Sequence, residues 1–444
     1  MEIFMNILIV EIEHLGYGDP HVSFLQNFLI KEEYSVDKCY LDEFLTYIDK
    51  TKFNYHYTVF MTTEHEGAFN RISKIIETVR ECNPSASFII AGPMVSFYRN
   101  HVRNLTDTDF VIKGCLIPKI KEFLENGISS RSNPVDIGND FDANMLEIDA
   151  DTYPYNDNGI YSMLQSIGCN YGKCTFCPLK HMYGSIKVRP IKNIIRDMKK
   201  IDTERNAKVF LFRDQNFLIN NNRFRDLCNE MNNENLQQKL QFCARADSVI
   251  KCLPAISEIP QRISSISIGI ESFLQTQLNR YNKGITPEQA FLALDSLVKL
   301  GVKTKYFLIL ADNQTDFNEL LQISGIFRRK PEYILMLASS RLREYFEYDN
   351  EQADYPDYVK IYHKALEGVV KFNNSSSEGL NTYKLFLHFK AIPDTKRSYI
   401  NRWLDWLDDL VKKVNDQQIC YTDALAAVED NTGKICSVLG GLYS

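Results

Sequence analysis

No apolar run in the 444-residue chain approaches the roughly 20 residues needed to cross a bilayer, which argues against a membrane-spanning protein. The stretch Met5-Asn-Ile-Leu-Ile-Val-Glu-Ile-Glu13 is interrupted by acids, unlike the apolar core of a secretory signal. Positive charge is in deficit. With 51 Lys and Arg against 57 Asp and Glu, the net charge is -6 and the pI near 5.9, so there is no overall electropositive field for nucleic acid or anionic lipid. A secreted disulfide framework is also missing: eight of the eleven cysteines are scattered singly, at 39, 82, 115, 228, 243, 252, 420 and 436, and most of these read as buried apolar fillers. The composition, 44% hydrophobic and 24% charged, is that of a folded chain long enough for two or three cores. A cytoplasmic multidomain protein is expected.

The other three cysteines stand together in Ser166-Ile-Gly-Cys169-Asn-Tyr-Gly-Lys-Cys174-Thr-Phe-Cys177, spaced C-x4-C-x2-C with no fourth cysteine nearby. A structural zinc or an electron-transfer cluster normally takes four protein ligands, so a set of three suggests a four-iron cluster with one iron left open for a small molecule. A zinc site recruiting a distant fourth ligand, such as His181 or Cys243, would use the same thiolates.

Residues 1–126 alternate short apolar runs with amphipathic stretches, the rhythm of repeated β-α units. Five strands are expected: Asn6 to Glu11, Val36 to Tyr40, Tyr57 to Thr62, Ser87 to Gly92 and Asp109 to Gly114, with helices such as Ala68 to Cys82 between them. This is a doubly wound, flavodoxin-like α/β pattern, whose ligands bind beyond the carboxyl ends of the strands at a switch point. The loops at Glu13 to Asp19, Thr63 to Gly67 and Gly92 to Ser96 lie there. Residues 127–158, with Ser129-Ser-Arg-Ser-Asn-Pro134 and Tyr153-Pro154-Tyr155, read as a linker.

A second β-α series fills 159–337. Its strands are expected near Ile160 to Gly168, Lys208 to Arg213, Leu240 to Ala246, Ile263 to Glu271, Thr304 to Leu310 and Glu332 to Leu337, with helices such as Ile191 to Ile201, Pro287 to Leu300 and Phe317 to Phe327. Six units suggest a partial barrel, since a closed one takes eight. Polar residues gather where these strands end: Cys169, Asp214, Arg245 with Asp247, Glu271 and Asp312. Each alone reads as a charge at the exit from a core. Their common position points to an active face.

The spacing and wording Cys169-Asn-Tyr-Gly-Lys-Cys174-Thr-Phe-Cys177 resemble the cluster loop of the radical S-adenosylmethionine (SAM) enzymes, most closely those carrying an N-terminal cobalamin-binding-type domain. The resemblance covers roughly residues 6 to 335 and implies a partial (β/α)6 barrel. It implies a [4Fe-4S] cluster on Cys169, Cys174 and Cys177, whose open iron chelates SAM. Reductive cleavage then yields a 5'-deoxyadenosyl radical. Arg245 resembles the family's basic residue for the SAM carboxylate. Glu271, in Ile268-Gly-Ile-Glu271-Ser272, matches the fourth-strand motif near the SAM ribose or amino acid portion, and Phe176 would pack near the adenine. The common Gly-Gly-Glu after the second strand is replaced by Phe212-Arg-Asp214-Gln-Asn216, which makes Asp214 a substitute candidate. Asp312, in Ala311-Asp-Asn-Gln-Thr315, replaces the family's Gly-x-Pro-Gly-Glu loop and has no assigned role.

The cobalamin-type pattern is imperfect. Asp-x-His-x-x-Gly after the first strand, whose His binds cobalt, becomes Glu11-Ile-Glu-His14-Leu-Gly16, out of register. Phe88-Ile-Ile-Ala-Gly92-Pro93 resembles the fourth strand of such domains, whereas Gly114-Cys115-Leu-Ile-Pro replaces the usual acidic Gly-Glu sequence. Cobalamin is thus a candidate cofactor, with His14, Gly92 and Pro93 as candidate contacts. Residues 338–444 read as mainly helical, with aromatic stretches Tyr345-Phe-Glu-Tyr348, Tyr383-Lys-Leu-Phe-Leu-His-Phe389 and Trp403-Leu-Asp-Trp406 suited to packing or to covering a substrate. Only two cysteines fall in that tail, so one cluster is expected. The resemblance implies a low-potential electron donor, such as flavodoxin or ferredoxin, and a peptide or small-molecule substrate. The leading reading is cobalamin-dependent methylation of an unactivated carbon. Cobalamin-independent cyclisation, rearrangement or epimerisation is an alternative, and a non-enzymatic iron-sulfur sensor is another.

Overall fold

The computed structural model describes residues 5–12, 18–44, 53–61, 69–92, 95, 108–113, 117, 120–121, 124, 135–136, 142–177, 183, 185–342, 355–375 and 392–440. They belong to two compact units, one drawn from residues 1–172, 177–217 and 226–238, the other from 173–176, 218–225 and 239–444.

The first unit opens with strands β1 (Asn6–Glu11), β2 (Ser35–Tyr40), β3 (Tyr57–Met61), β4 (Ser87–Ala91), β5 (Phe110–Lys113) and β6 (Val135–Asp136). All pair in parallel, in the order β2-β1-β3-β4-β5-β6. The order reverses between β1 and β3, as in flavodoxin-like sheets. A parallel sheet is covered on both faces, which is why β1 is an unbroken apolar run whose Ile7, Leu8, Ile9 and Val10 are all buried. Helix α1 (Pro20–Lys31) starts where its sequence says it should. Asp19 accepts the His21 N–H at 2.7 Å, and Pro20 occupies a first-turn position that needs no donor. Helix α2 (Phe69–Cys82) buries Ile72, Ile75, Ile76 and Val79, a stripe at helical spacing.

Part of the segment read as a linker is packed on this unit. Asn27 Nδ2 donates to Glu147 O at 3.1 Å and the Thr152 hydroxyl to Ser23 Oγ at 2.8 Å, over buried Leu146 and Ile148. Further along come β7 (Ile160–Met163), β8 (Ser166–Ile167), β9 (Lys187–Val188), α3 (Ile191–Arg205) and β10 (Val209–Phe212). After α4 (Asn221–Asn233), the second unit carries β11 (Lys239–Arg245), α5 (Ala246–Glu258), β12 (Ile263–Glu271), α6 (Gln275–Arg280), α7 (Pro287–Lys299), β13 (Thr304–Ala311), α8 (Phe317–Arg329), α9 (Glu332–Met336) and β14 (Leu337–Leu342). The second sheet has six strands in the order β14-β13-β12-β11-β10-β7. Among the described residues β7 and β14 stand at the ends of this order.

Two strand expectations need correction. The first strand of this sheet does not run from Ile160 to Gly168; it stops at Met163, and Ser166–Ile167 turns aside to pair antiparallel with Lys187–Val188. The last strand is not Glu332 to Leu337. Pro331 leads into a short helix whose Tyr333, Ile334, Leu335 and Met336 are all buried, and the strand follows it. A short run buried on every side has no periodicity to separate helix from strand.

Alternation along the inner strands sets the active face. On β12, Ile266, Ile268 and Ile270 are buried on one side while Ser267, Gly269 and Glu271 take the other; β11 places Cys243 beside Ser267 and Arg245 beside Gly269. Helices α10 (Asp357–Ser375), α11 (Asp394–Asn415) and α12 (Tyr421–Gly440) complete the second unit, tied to it by Asn373 Nδ2 on Ile334 O at 2.7 Å and by the Arg328 to Asp405 pair at 2.9 Å. Trp403 lies buried on the apolar stripe of α11 with Leu404, Leu407 and Val411. The aromatic stretches at 345–348 and 383–389 fall outside the described residues. No described helix is long and apolar enough to cross a membrane.

Candidate active site

The cysteine loop leaves from the β8–β9 ribbon through two glycines in left-handed conformations, Gly168 at φ 91° and Gly172 at φ 59°. Its approach is braced by two buried ionisable groups. Arg189 is fully buried. Its backbone N–H donates to Gln165 O at 2.8 Å, and its guanidinium to Leu164 O at 2.7 Å, to Leu146 O at 2.9 Å and to the buried Asp197 carboxylate. Asp214, just past β10, accepts the Gln165 N–H at 2.9 Å and the Ser166 hydroxyl at 2.5 Å. Burial pushes the Asp214 carboxyl up to about 6, although those hydrogen bonds and the Arg189 charge oppose the shift. Asn216 Nδ2 donates to Asn170 Oδ1 at 2.7 Å, inside the loop itself. Asp214 is therefore placed under the stretch that leads into Cys169.

In the second unit, Arg245 ends β11 with Nη1 3.7 Å from Cys174 Sγ, Nε 2.9 Å from Asp247 Oδ1, and Nη2 2.6 Å from Lys283 O. Glu271 ends β12 in a left-handed conformation, φ 65°, at a register shift against β13. A non-glycine residue held there is strained, and such strain gathers at functional sites. Its Oε1 meets Lys283 Nζ at 3.0 Å, and the Lys283 ammonium lies 5.6 Å over the Phe176 ring. Phe176 also packs edge-on against Tyr281, 5.9 Å between centroids. Gly269 leaves room beneath this group: a Cβ there would stand 2.8 Å from Glu271 Oε1 and 3.2 Å from Lys283 Nζ and would displace that pair.

Three of the anticipated residues, Phe176, Arg245 and Glu271, are thus gathered with Cys174 around Lys283, a residue the sequence reading missed. Its only local signal is the turn Asn282-Lys283-Gly284, with φ positive at Asn282 and Gly284. Asp312 instead binds Arg280, at 2.8 and 3.1 Å. Cys169, Cys174 and Cys177 are half-buried and none is in a disulfide. Among the described residues no three His, Cys, Asp or Glu side chains are gathered closely enough to hold a metal ion. The donor set nevertheless fits a cluster with one open iron: three thiols on one loop, a guanidinium beside one of them to favour thiolate, and ligands that metal binding itself draws together.

At the switch point of the first sheet, His14 and Pro93 lie outside the described residues, as does the Thr63 to Gly67 loop. Gly92 follows β4 at φ 119°. Nearby Glu11, buried at the end of β1, pairs with Lys38 at 3.2 Å, and burial lowers the pKa of His21 at the start of α1.

Residues 164–323, which hold the loop and both strand ends, match the model of the radical SAM superfamily. Residues 164–323 form a radical SAM domain. A radical SAM domain implies a [4Fe-4S] cluster and SAM. The domain is similar to 4'-phospho-dehydrooxetanocin synthase of Priestia megaterium, 28% identical over 175 residues, which are 35% of this chain and 24% of that protein. The anaerobic magnesium-protoporphyrin IX monomethyl ester cyclase of Cereibacter sphaeroides is 25% identical over 152 residues, 33% of this chain and 25% of the relative. The chain thus spans about a quarter of the length of these curated relatives. In fold it is similar to the cobalamin-dependent SAM radical enzyme OxsB, solved with aquacobalamin and SAM bound: TM-score 0.64 at 13% identity, over 92% of this chain and 72% of that one. The radical SAM methyltransferase TsrM from Kitasatospora setae, solved with tryptophan substrate and a SAM analogue, aligns with TM-score 0.60 at 14% identity, over 73% of this chain and 71% of that one. At such identities the likeness is one of fold.

Proposed function

We propose that this radical SAM enzyme binds its cluster through Cys169, Cys174 and Cys177 and cobalamin at the switch point of its first sheet, and that it methylates an unactivated carbon of a peptide or small natural product. The observation that carries the SAM-cleaving part is the convergence of Arg245, Glu271 and Phe176 on the Cys174 segment. The likeness of fold to OxsB over 92% of the chain supports the cobalamin part. A reduced cluster held by Cys169, Cys174 and Cys177 would supply the one electron that reductive cleavage of the SAM carbon-sulfur bond needs, and with it radical chemistry at the substrate. The residues of the chain position and shield. Arg245 offers a fixed, always-charged fork for the SAM carboxylate. Glu271 offers a carboxylate to the ribose or the amino group, Phe176 an apolar face to the adenine, and Asp214 steadies the approach to Cys169. A flavodoxin or ferredoxin would deliver the electron.

A second reading keeps the radical but ends in rearrangement or cyclisation; it is favoured by the curated relatives, one named a synthase and the other a cyclase. Anaerobically reconstituted protein given SAM and a strong reductant separates the readings. 5'-Deoxyadenosine together with S-adenosylhomocysteine that depends on added cobalamin selects methylation. 5'-Deoxyadenosine alone selects rearrangement or cyclisation. A cluster without any 5'-deoxyadenosine leaves the iron-sulfur sensor and sinks both enzyme readings. Cys169→Ala should abolish cluster and cleavage together, and retained cleavage would refute the assigned ligands.

A further inference from the structure

The residues flanking Cys174 are held by a segment more than 100 positions later. The Thr175 N–H donates to Tyr281 O at 2.9 Å and the Thr175 hydroxyl to Arg280 O at 2.9 Å, while Asn282 Nδ2 returns to Lys173 O at 2.9 Å. Arg280 is the last residue of α6 and Tyr281 follows it, so the two carbonyls that receive Thr175 belong to the helix end, where acceptors have no partner within the helix. Thr175 supplies the missing donors.

What fixes those carbonyls is the side chain of Arg280. Its guanidinium spans two carboxylates from different elements: Asp312, just past β13, at 2.8 and 3.1 Å, and Glu319 of α8 at 2.7 and 3.0 Å. Both acids are buried, and Thr315 adds a contact at 3.3 Å. Charge-assisted bonds in a planar fork leave Arg280 little freedom to rotate. Asp312 is itself fixed by the Thr315 hydroxyl at 3.0 Å and the Gln314 N–H at 3.0 Å. None of these bonds requires a metal.

We propose that the Arg280–Lys283 turn is a preformed seat for the Cys174 side of the cluster loop, and that Arg280, anchored by Asp312 and Glu319, is its positioning residue. The inference rests on the reading of the cysteine loop as a cluster site. It gives Asp312 a task other than contact with SAM: the acid at the end of β13 steadies the helix end that holds Thr175.

The test uses the metal-free 444-residue chain. Amide hydrogen exchange is followed on the peptide containing Thr175, and bound iron is counted after reconstitution. Arg280→Met should speed exchange at Thr175 about fivefold or more, the equivalent of one lost hydrogen bond, leave β12 and β13 protected, and lower the iron retained. Arg280→Lys, which keeps the charge without the fork, should fall between. Thr175→Val removes only the hydroxyl bond and should speed exchange less while the Arg280 network persists; if Arg280→Met does not fold, Arg280→Lys decides the part of Arg280 and Thr175→Val that of the seat. Unchanged exchange at Thr175 in both Arg280→Met and Thr175→Val would overturn the proposal. So would a uniform rise across β12 and β13 in Arg280→Met, which marks general destabilisation. Exchange needs neither SAM nor turnover, so a failed enzyme reading leaves this result intact.

Discussion

Asp214 shows how a single side chain couples folding to acidity. Its folded pKa, about 6, lies above the ordinary aspartate value because burial disfavours the charged form. The folded state therefore holds this proton more tightly than the unfolded chain does. Its contribution to stability is full below about pH 4 and is lost as the pH rises through about 6, an effect on the order of 3 kcal/mol. Asp214→Asn should flatten that dependence. The check is the difference between wild-type and variant urea midpoints at pH 5 and 7.5 on metal-free protein, since His21 titrates in both and cancels. Equal slopes in the two proteins would show that Asp214 does not carry the coupling. At Gly269 the constraint is steric. Gly269→Ala sets a Cβ against Glu271 Oε1 and Lys283 Nζ, the ends of two flexible side chains, so the Glu271–Lys283 pair must shift while the backbone stays. A weakened affinity for SAM, read by equilibrium dialysis, should accompany it.

At the scale of elements, the periodic segments were readable and the aperiodic ones were not. β12 was expected at Ile263 to Glu271 and is found there, because isoleucines alternate with small polar residues along it. Helix α7 announces itself by Thr286-Pro-Glu-Gln289: the Thr286 hydroxyl takes the Gln289 N–H at 3.3 Å while Gln289 Oε1 takes the Thr286 N–H at 3.0 Å. By contrast Glu332–Met336 is buried without a break from Tyr333 to Met336 and was misread. The β8–β9 ribbon, two residues a side, is too short to leave a pattern. Arg189 was equally silent, for its partners at 146, 164 and 197 are brought to it only by the fold. Arg189→Met should cost about 3–5 kcal/mol by leaving Asp197 buried without its main counter-charge. The lower end is expected, since Arg196 still donates to Asp197 at 2.9 Å. Thermal or urea unfolding gives the number, and a loss below about 1 kcal/mol would mean the pair is dispensable.

For the whole chain, spacing and strand-end chemistry were enough to recognise the radical SAM domain, because three cysteines in twelve residues and polar groups at strand exits are local signals. The cobalamin question was not local. It turns on a sheet whose order, β2-β1-β3-β4-β5-β6, is a property of the folded chain and not of any motif. The expected outcome at this scale is that hydroxocobalamin co-elutes with the reconstituted protein on anaerobic gel filtration, with its absorption bands beside those of the iron-sulfur cluster. A cluster band without cobalamin would leave the first sheet as scaffold.

The brace under the cysteine loop also bears on the order of synthesis. Gln165 and Ser166 lead into Cys169, yet the groups that fix them, Arg189 and Asp214, are translated later. Domains fold as they emerge, amino end first. The three thiols therefore leave the ribosome before their support exists, and iron that reached them early would find an unframed loop. On the proposed ligands, loading of the cluster belongs after both Asp214 and the Arg280–Lys283 turn have emerged, a timing built into the chain by where its buried charges fall.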